Sequence, residues 1–177
     1  MGTRMERAGM RAWMAGLLLL LGGAIAAAAP LPGPGDRLPD VVLQDLTGGD
    51  HELAAALGKG PVVVFFWSVY CPNCKEAMPG LVGLHRKWRE RGLTVWAVNV
   101  DGDRFSNAVR AYVSDMELPF PVLYDRLEGD LLVAADPLGV SKTPTLFLAD
   151  GDGRILLRQT VEVDYEALAT AVASSLH

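Results

Sequence analysis

Two cysteines separated by two residues are the part of this chain best suited to chemistry. They are Cys71 and Cys74, in the order Cys-Pro-Asn-Cys. Two sulfurs one helical turn apart can interconvert between a dithiol and a disulfide. A purely structural disulfide would add little stability here, because stabilisation grows with the length of the closed loop. Half of a zinc site and a pair of inert thiols also compete with the redox interpretation; with 2 cysteines in the chain, a four-cysteine site is excluded.

The cysteine pair lies at a predicted junction between a buried strand and a long helix. Val62–Trp67 is a continuous apolar run of β-branched and aromatic residues, typical of a strand buried on both faces. Helical spacing then predicts a helix over Pro72–Arg91, with proline at its first position. Free N–H groups at that helix start would stabilise the Cys71 thiolate. Cys71 is therefore predicted to attack disulfides, and Cys74 to resolve the mixed disulfide.

The other elements alternate between strands and helices. The remaining predicted strands are Pro39–Leu46, Leu93–Val100, Phe120–Leu123, Thr145–Leu148 and Ile155–Val161. The remaining predicted helices are His51–Leu57 capped by Asp50, Phe105–Met116, a weaker Asp130–Leu138, and a last helix capped by Asp164 and reaching about Leu176. This alternation predicts an α/β fold with a parallel core, and the final hairpin adds an antiparallel edge.

Composition narrows the classes of function. The chain has 177 residues, half of them hydrophobic, and a net charge of −5. One globular domain is expected, and a basic nucleic-acid-binding surface is not. The 3 histidines are far apart in sequence, so a metal centre is not expected. The sequence also lacks the glycine-rich phosphate loops of nucleotide-binding proteins.

The N-terminal segment has the pattern of an export signal. Three arginines among the first eleven residues precede an uncharged stretch over residues 12–29. Residues 1–29 are predicted to be either a cleaved signal peptide or a retained membrane anchor. A proline- and glycine-rich linker over residues 30–35 follows, and then a single domain over residues 36–177. Both readings predict an extracytoplasmic location, the periplasm or the outer face of the cytoplasmic membrane, where thiols can oxidise.

Several motifs in a fixed order carry a resemblance to a known family. They are Val62–Cys74 with Met78, Pro79 and Leu81 after it, Pro119–Asp125, Val140–Leu148, and Asp152–Ile155. Together they resemble the TlpA/ResA-like extracytoplasmic thiol-disulfide oxidoreductases, thioredoxin-fold proteins related to the redoxin/AhpC-TSA group. The resemblance extends over residues 36–177.

The resemblance implies a thioredoxin-like fold and a particular proline loop. The expected fold has a central mixed sheet flanked by helices, with an αβ insert before the proline loop. Thr143–Pro144 is expected to be a cis peptide that faces Cys71. The backbone of Thr143 is expected to pair with an extended segment of the substrate.

Further residues around the cysteines are expected to support the site. Pro72 and Asn73 lie between the cysteines, and Trp67 and Tyr70 flank the active-site turn. Both aromatic residues are expected to combine packing of this turn with a rim that contacts substrate, and Trp67 is expected to contribute more to function.

The function implied is exchange of disulfides with the cysteines of exported proteins, in the reducing direction. A membrane thiol carrier is the expected electron donor, and the redox-active Cys71–Cys74 disulfide replaces any cofactor or metal. Two competing functions share the fold. A Sco-like metal-delivery module would use a CxxxC pair and a distant histidine. A peroxiredoxin-like peroxidase would need a Pro-x-x-x-Thr-x-x-Cys pattern, which residues 67–71 do not match.

The chain departs from relatives of this kind at two positions. Phe65 stands where ordinary thioredoxins have a buried aspartate, and Ala77 where many TlpA/ResA-like proteins have a glutamate. Glu76 is one position early, which rotates it by about 100° around the helix, so we expect it to face solvent. The proton acceptor for Cys74 is therefore not identified, and a role in cytochrome c maturation is less well supported.

Other ionisable residues are expected to be solvated. His85 stands among charged residues in the long helix. An acidic cluster lacks the spacing of a calcium-binding loop and predicts a solvated face; its members are Asp125, Glu128, Asp130 and Asp136.

Overall fold

A computed structural model describes residues 30–176 of the chain. The predicted signal peptide or anchor, residues 1–29, lies outside the described residues. From Leu31 onward the described residues belong to one compact unit. Within residues 30–176, no helix combines the length and the hydropathy needed to cross a membrane.

A seven-stranded mixed sheet forms the centre of this unit. The described residues form nine strands, two of which lie outside this sheet. They are β1 (Val42–Asp45), β2 (Asp50–Glu52), β3 (Val62–Trp67), β4 (Thr94–Asn99), β5 (Val122–Tyr124), β6 (Leu127–Glu128), β7 (Leu131–Leu132), β8 (Thr145–Ala149) and β9 (Ile155–Thr160). The sheet order is β2-β1-β5-β4-β3-β8-β9, and β6 and β7 form a separate small hairpin. Strands β3, β4 and β5 are parallel, and the other neighbours pair antiparallel. The predicted parallel core with an antiparallel terminal hairpin is confirmed.

Helices pack on both faces of the sheet, and three of the four in the described residues lie on the same face. They are α1 (Leu53–Ala56), α2 (Pro72–Trp88), α3 (Ser106–Met116) and α4 (Tyr165–Ser175). Short 3-10 turns extend α2 over Arg89–Arg91 and precede α3 over Asp103–Phe105. Helices α2, α3 and α4 pack on one face, and α1 with the segment 133–139 covers the other. The predicted long helix and the Asp164 cap of α4 are confirmed, since the Asp164 carboxylate accepts two backbone N–H groups.

Strand β3 is buried on both faces and fixes the start of α2. Val63, Phe65 and Trp67 point into the core beneath α2, α3 and α4. Val62, Val64 and Phe66 belong to the core on the opposite face. Because all six side chains are buried, the end of β3 is held firmly from both sides. The chain that leaves it enters the cysteine motif.

Most of the predicted linker is part of the folded unit. The Pro32 carbonyl accepts a hydrogen bond from Arg158 at 2.6 Å. The backbone N–H of Gly35 donates to Ile155 at 2.9 Å, and that of Leu38 donates to Gly153 at 2.9 Å. The segment 32–38 therefore lies against the start of β9 and is not a free spacer.

The predicted helix His51–Leu57 is largely wrong. His51 pairs with Leu43 across the β1–β2 hairpin, and its Nε2 lies 2.9 Å from a carboxylate oxygen of Asp45. Only the four residues of α1 are helical, and they begin after Glu52, so Asp50 caps no helix. Pairing across the short β1–β2 hairpin prevails here over local helical preference.

The predicted helix Asp130–Leu138 is also wrong, and one buried carboxylate accounts for the difference. Asp125 is 1 % exposed. Its two oxygens accept the N–H groups of Ala134 at 3.0 Å and Ala135 at 2.7 Å. These bonds hold the segment 133–139 as successive turns.

The predicted solvated face is therefore wrong for Asp125, although Glu128 and Asp130 are exposed. Burial raises the pKa of the Asp125 carboxyl, and the two N–H donors oppose that rise.

His85 is half-buried rather than fully solvated. Its ring lies edge-on to Phe120, with 5.5 Å between centroids. Burial lowers the pKa of His85, and the charges of Arg89 and Arg86 lower it further.

Removal of the Asp125 carboxylate should destabilise the protein. We expect Asp125→Ala to lower the free energy of unfolding by about 1–3 kcal/mol, because two buried N–H groups lose their acceptor. Urea denaturation measures the change. Asp130→Ala removes an exposed acid from the same loop and should change stability by less than about 0.5 kcal/mol. Equal effects of both substitutions would contradict the structural role of Asp125.

Candidate active site at the cysteine pair

The two cysteines occupy the turn between β3 and α2. They form a disulfide with 5.2 Å between their Cα atoms. Cys74, in the first turn of α2, is completely buried, whereas Cys71 is half-buried and precedes the helix. Only one sulfur of the pair is therefore open to another molecule. The predicted roles, attack by Cys71 and resolution by Cys74, agree with this difference in exposure.

Cys71 is the N-cap residue of α2. Its backbone is extended, and its sulfur accepts the N–H of Cys74 at 3.1 Å. Pro72 occupies the first helical position, where a missing N–H costs no hydrogen bond. The positive end of the helix dipole thus points at the Cys71 sulfur. In the reduced protein the same N–H groups favour a thiolate over a thiol at this position.

A carboxylate just after the neighbouring strand β4 holds the loop before Cys71. Asp101 accepts the Ser68 hydroxyl at 2.5 Å and the N–H of Val69 at 2.8 Å. The amide of Asn99, which is buried, donates to Asp101 at 2.7 Å. Ser68 in turn accepts the N–H of Cys71 at 3.2 Å through its carbonyl. The position of Cys71 is therefore coupled to Asp101.

Sequence reasoning missed Asp101, although a signal was present. Asn99 is the last residue of β4, and Asp101 follows just after it. Strand β4 is parallel to β3, and Asn99 lies opposite Trp67. The carboxyl ends of parallel strands meet at one edge of a sheet, where sites commonly form. The polar pair at the end of β4 thus lies beside the loop after β3.

The proline loop joins the cysteine turn through one backbone residue. The Thr143–Pro144 peptide is cis, as expected. The Pro144 carbonyl accepts the N–H of Val161 at 2.8 Å, and the Val161 carbonyl accepts the side-chain amide of Asn73 at 3.2 Å. Pro144 is buried, Thr143 is half-buried and Asn73 is exposed. The structure therefore links the predicted site residues on both loops.

The expected aromatic rim is wrong for Trp67. Its side chain is completely buried, and its ring packs against Tyr112 with 5.2 Å between centroids. Trp67 can therefore support the cysteine turn from within the core, but it cannot form part of the exposed rim. Tyr70 is 64 % exposed and packs edge-on against Phe105 at 5.1 Å. The aromatic surface next to Cys71 is therefore formed by Tyr70 and Phe105.

A family model described as AhpC/TSA matches residues 34–158. The match includes the cysteine pair and the proline loop. The chain belongs to the AhpC/TSA family. Among individual relatives, this family member is 35 % identical over 122 residues to a protein named thiol-disulfide oxidoreductase ResA from Bacillus thuringiensis. The alignment spans 69 % of the chain and 66 % of the relative, just under two thirds of its length.

Solved structures show the same fold. A protein from Chlorobium tepidum, described as a candidate thiol:disulfide interchange protein DsbE, matches with a TM-score of 0.71 and 27 % identity. That match covers 81 % of this chain and 98 % of the other. The thioredoxin domain of a thiol-disulfide oxidoreductase from Bacteroides vulgatus matches with a TM-score of 0.69 and 20 % identity, over 80 % and 99 % of the two chains. The expected thioredoxin-like fold is confirmed.

The surroundings of Cys74 in this AhpC/TSA protein are apolar at the two positions where the sequence departs from thioredoxins and TlpA/ResA-like proteins. Phe65 is completely buried in the core, and Ala77 is buried beside Cys74 on α2. Glu76 is exposed, as predicted. The Ala77 carbonyl accepts the hydroxyl of Tyr165. Burial raises the pKa of Tyr165 to about 12, so at neutral pH this hydroxyl is a donor and not a base.

Loss of the Asp101 carboxylate should loosen the turn that carries Cys71. We expect Asp101→Ala to lower the free energy of unfolding by about 1–3 kcal/mol, because buried donors lose their acceptor. Alkylation of reduced Cys71 by iodoacetamide, followed against pH, should shift to higher pH as the sulfur leaves the helix N-terminus.

Ser68→Ala is the matched control for this experiment. It removes one of the bonds to Asp101 and keeps the bond from Val69. Its alkylation profile should lie between those of the wild type and Asp101→Ala. Identical profiles for Asp101→Ala and the wild type would show that Asp101 does not position Cys71.

Proposed function

We propose that this protein is an exported thiol-disulfide oxidoreductase that reduces disulfides in other extracytoplasmic proteins. The observation that carries the proposal is the Cys71–Cys74 disulfide itself. One sulfur lies at the open N-terminus of α2, and the other is buried one turn further on. This arrangement suits a nucleophile and its resolving partner. The name of the Bacillus thuringiensis relative supports the same activity.

The residues support a two-step exchange. The Cys71 thiolate attacks one sulfur of the substrate disulfide, so that a mixed disulfide forms and one substrate thiolate leaves. Cys74 then loses its proton and attacks the Cys71 sulfur. The Cys71–Cys74 bond forms, the mixed disulfide breaks, and the second substrate thiolate leaves. Two electrons pass from the dithiol to the substrate, and the structure represents the oxidised product.

The proposed direction of electron transfer and the proposed extracytoplasmic location rest on the sequence. The charged and then apolar N-terminal segment supports export, and exported proteins supply disulfide substrates. A dithiol that reduces substrates there must be regenerated by a further thiol donor. A membrane thiol carrier supplies those electrons, by attack of its thiolate on the exposed Cys71 sulfur. The proposed partners are therefore exported proteins on one side of the cycle and this carrier on the other.

A trapping experiment tests the activity and the roles of the two cysteines. Cys74→Ser should leave Cys71 able to attack and unable to be released, so mixed disulfides with exported proteins should accumulate on non-reducing gels. Cys71→Ser is the matched control and should trap little, because Cys74 is buried. Stronger trapping by Cys71→Ser would reverse the roles. Trapping by neither variant, together with consumption of hydrogen peroxide by the wild type, would favour a peroxidase instead.

The equilibrium with glutathione tests the direction. A reductant should have a potential below about −200 mV, more reducing than protein disulfide isomerase at about −180 mV. The fraction of the Cys71–Cys74 disulfide is measured by alkylation and mass spectrometry at fixed ratios of reduced to oxidised glutathione. A value near that of the oxidant DsbA, about −120 mV, would show that the protein oxidises its substrates.

A further inference from the structure

Val161, directly after β9, has a backbone conformation that valine rarely adopts. Its φ is 74°, in the left-handed region. A branched Cβ crowds the backbone there, and glycine, asparagine and aspartate are the usual occupants. Residues held in such conformations persist where the surrounding structure enforces them, and they concentrate at functional sites.

Two hydrogen bonds hold Val161 in this conformation. Its N–H donates to the Pro144 carbonyl at 2.8 Å, and its carbonyl accepts the Asn73 amide at 3.2 Å. Pro144 belongs to the proline loop, and Asn73 lies between the two cysteines in the first turn of α2. These bonds use only backbone atoms of Val161, so glycine or asparagine would serve them equally well with less strain. The bonds therefore account for the conformation and leave the valine side chain unexplained.

Core packing does not explain the side chain either. Val161 is 39 % exposed. It lines a cavity of about 350 Å³ at the start of α2, beside Asn73, Glu76, Ala77, Val163 and Tyr165. A strained residue that borders an open cavity next to the cysteine turn gains little from burial. Val161 thus borders open space beside the cysteine turn.

We propose that Val161 is a specificity-determining residue for disulfide exchange. Val161 bridges Pro144 of the proline loop and Asn73, which lies between the two cysteines. An extended segment that pairs with the proline loop and brings its cysteine to Cys71 therefore passes beside Val161. The isopropyl group narrows this passage, so segments with a small residue next to the reactive cysteine bind better than segments with a bulky one. The proposal rests on the proposed function and adds to it the class of substrate segment.

Three substitutions separate the bulk of the side chain from the backbone strain. Val161→Gly removes both the bulk and the strain. Val161→Asn keeps a side chain of similar size and tolerates the left-handed conformation. Val161→Thr keeps both the bulk and the strain. Leu156→Ala removes an exposed apolar side chain near the start of β9, at the end of the strand remote from Val161, and it serves as the matched control.

The substrates are two peptides that differ only in the residue after their single cysteine, glycine in one and leucine in the other. Each is supplied in excess as its homodimeric disulfide to the reduced full-length protein, and a single turnover is followed by thiol release. The dependence on peptide concentration gives the maximal rate constant and the half-saturating concentration. We expect the wild type to favour the glycine peptide by about tenfold in the second-order rate constant of this turnover, chiefly through the half-saturating concentration, a discrimination ordinary for a few methyl groups. Val161→Gly should bring the ratio close to one. Val161→Asn, Val161→Thr and Leu156→Ala should keep the wild-type ratio.

Two results would overturn the proposal. A wild-type ratio that persists in Val161→Gly shows that the isopropyl group does not select substrates. A ratio lost equally in Val161→Asn and Val161→Gly shows that backbone strain, and not bulk, is responsible. The melting temperature of Val161→Asn should rise by several degrees as strain is relieved, which verifies that the variant is folded. Failure of the wild type to reduce either peptide would instead refute the proposed function.

Discussion

The site depends on one constraint, that a helix cannot pair its own first N–H groups. In this protein the residue that completes the start of α2 is Cys71. The group that satisfies the helix terminus is therefore also the group that can react. Burial of β3 on both faces fixes the point at which the helix begins, so the sulfur is aligned with the helix terminus by the core and not by the loop alone.

Much of the fold was predictable, because its strongest elements depend on local signals. The run Val62–Trp67 has no polar residue and ends just before the cysteine turn, and its predicted bounds agree with β3. The long helix follows from its apolar spacing, and α4 from its Asp164 cap. Both wrong helices give way to pairing with a neighbouring segment. Leu43 pairs with His51 across the short β1–β2 hairpin, and the Asp125 carboxylate accepts N–H groups of the segment 133–139. The helical spacing of the sequence reveals neither contact.

The same distinction separates what could be predicted of the site. Spacing and position identified Cys71 and Cys74, and the resemblance to a known family supplied the cis peptide before Pro144. Burial of Trp67 was not foreseen, because an aromatic residue at the end of a strand is equally suited to a core or to a rim. The role of Val161 could not be predicted from the sequence at all. Its importance lies in a backbone angle set by hydrogen bonds to two other loops, and its residue type alone argues against that angle.

The segment 32–38, which lies along the start of β9, has a consequence for how the molecule behaves at high concentration. Unpaired edge strands are templates for association between copies of a protein. Here the start of one outer strand is covered, because Ile155 accepts the N–H of Gly35 and donates its own N–H to the Asp36 carbonyl. The strand at the opposite edge, β2, has only three residues, all polar, and two of them, Asp50 and Glu52, are exposed. Among residues 30–176, therefore, both margins of the sheet carry features that disfavour strand pairing with a second copy.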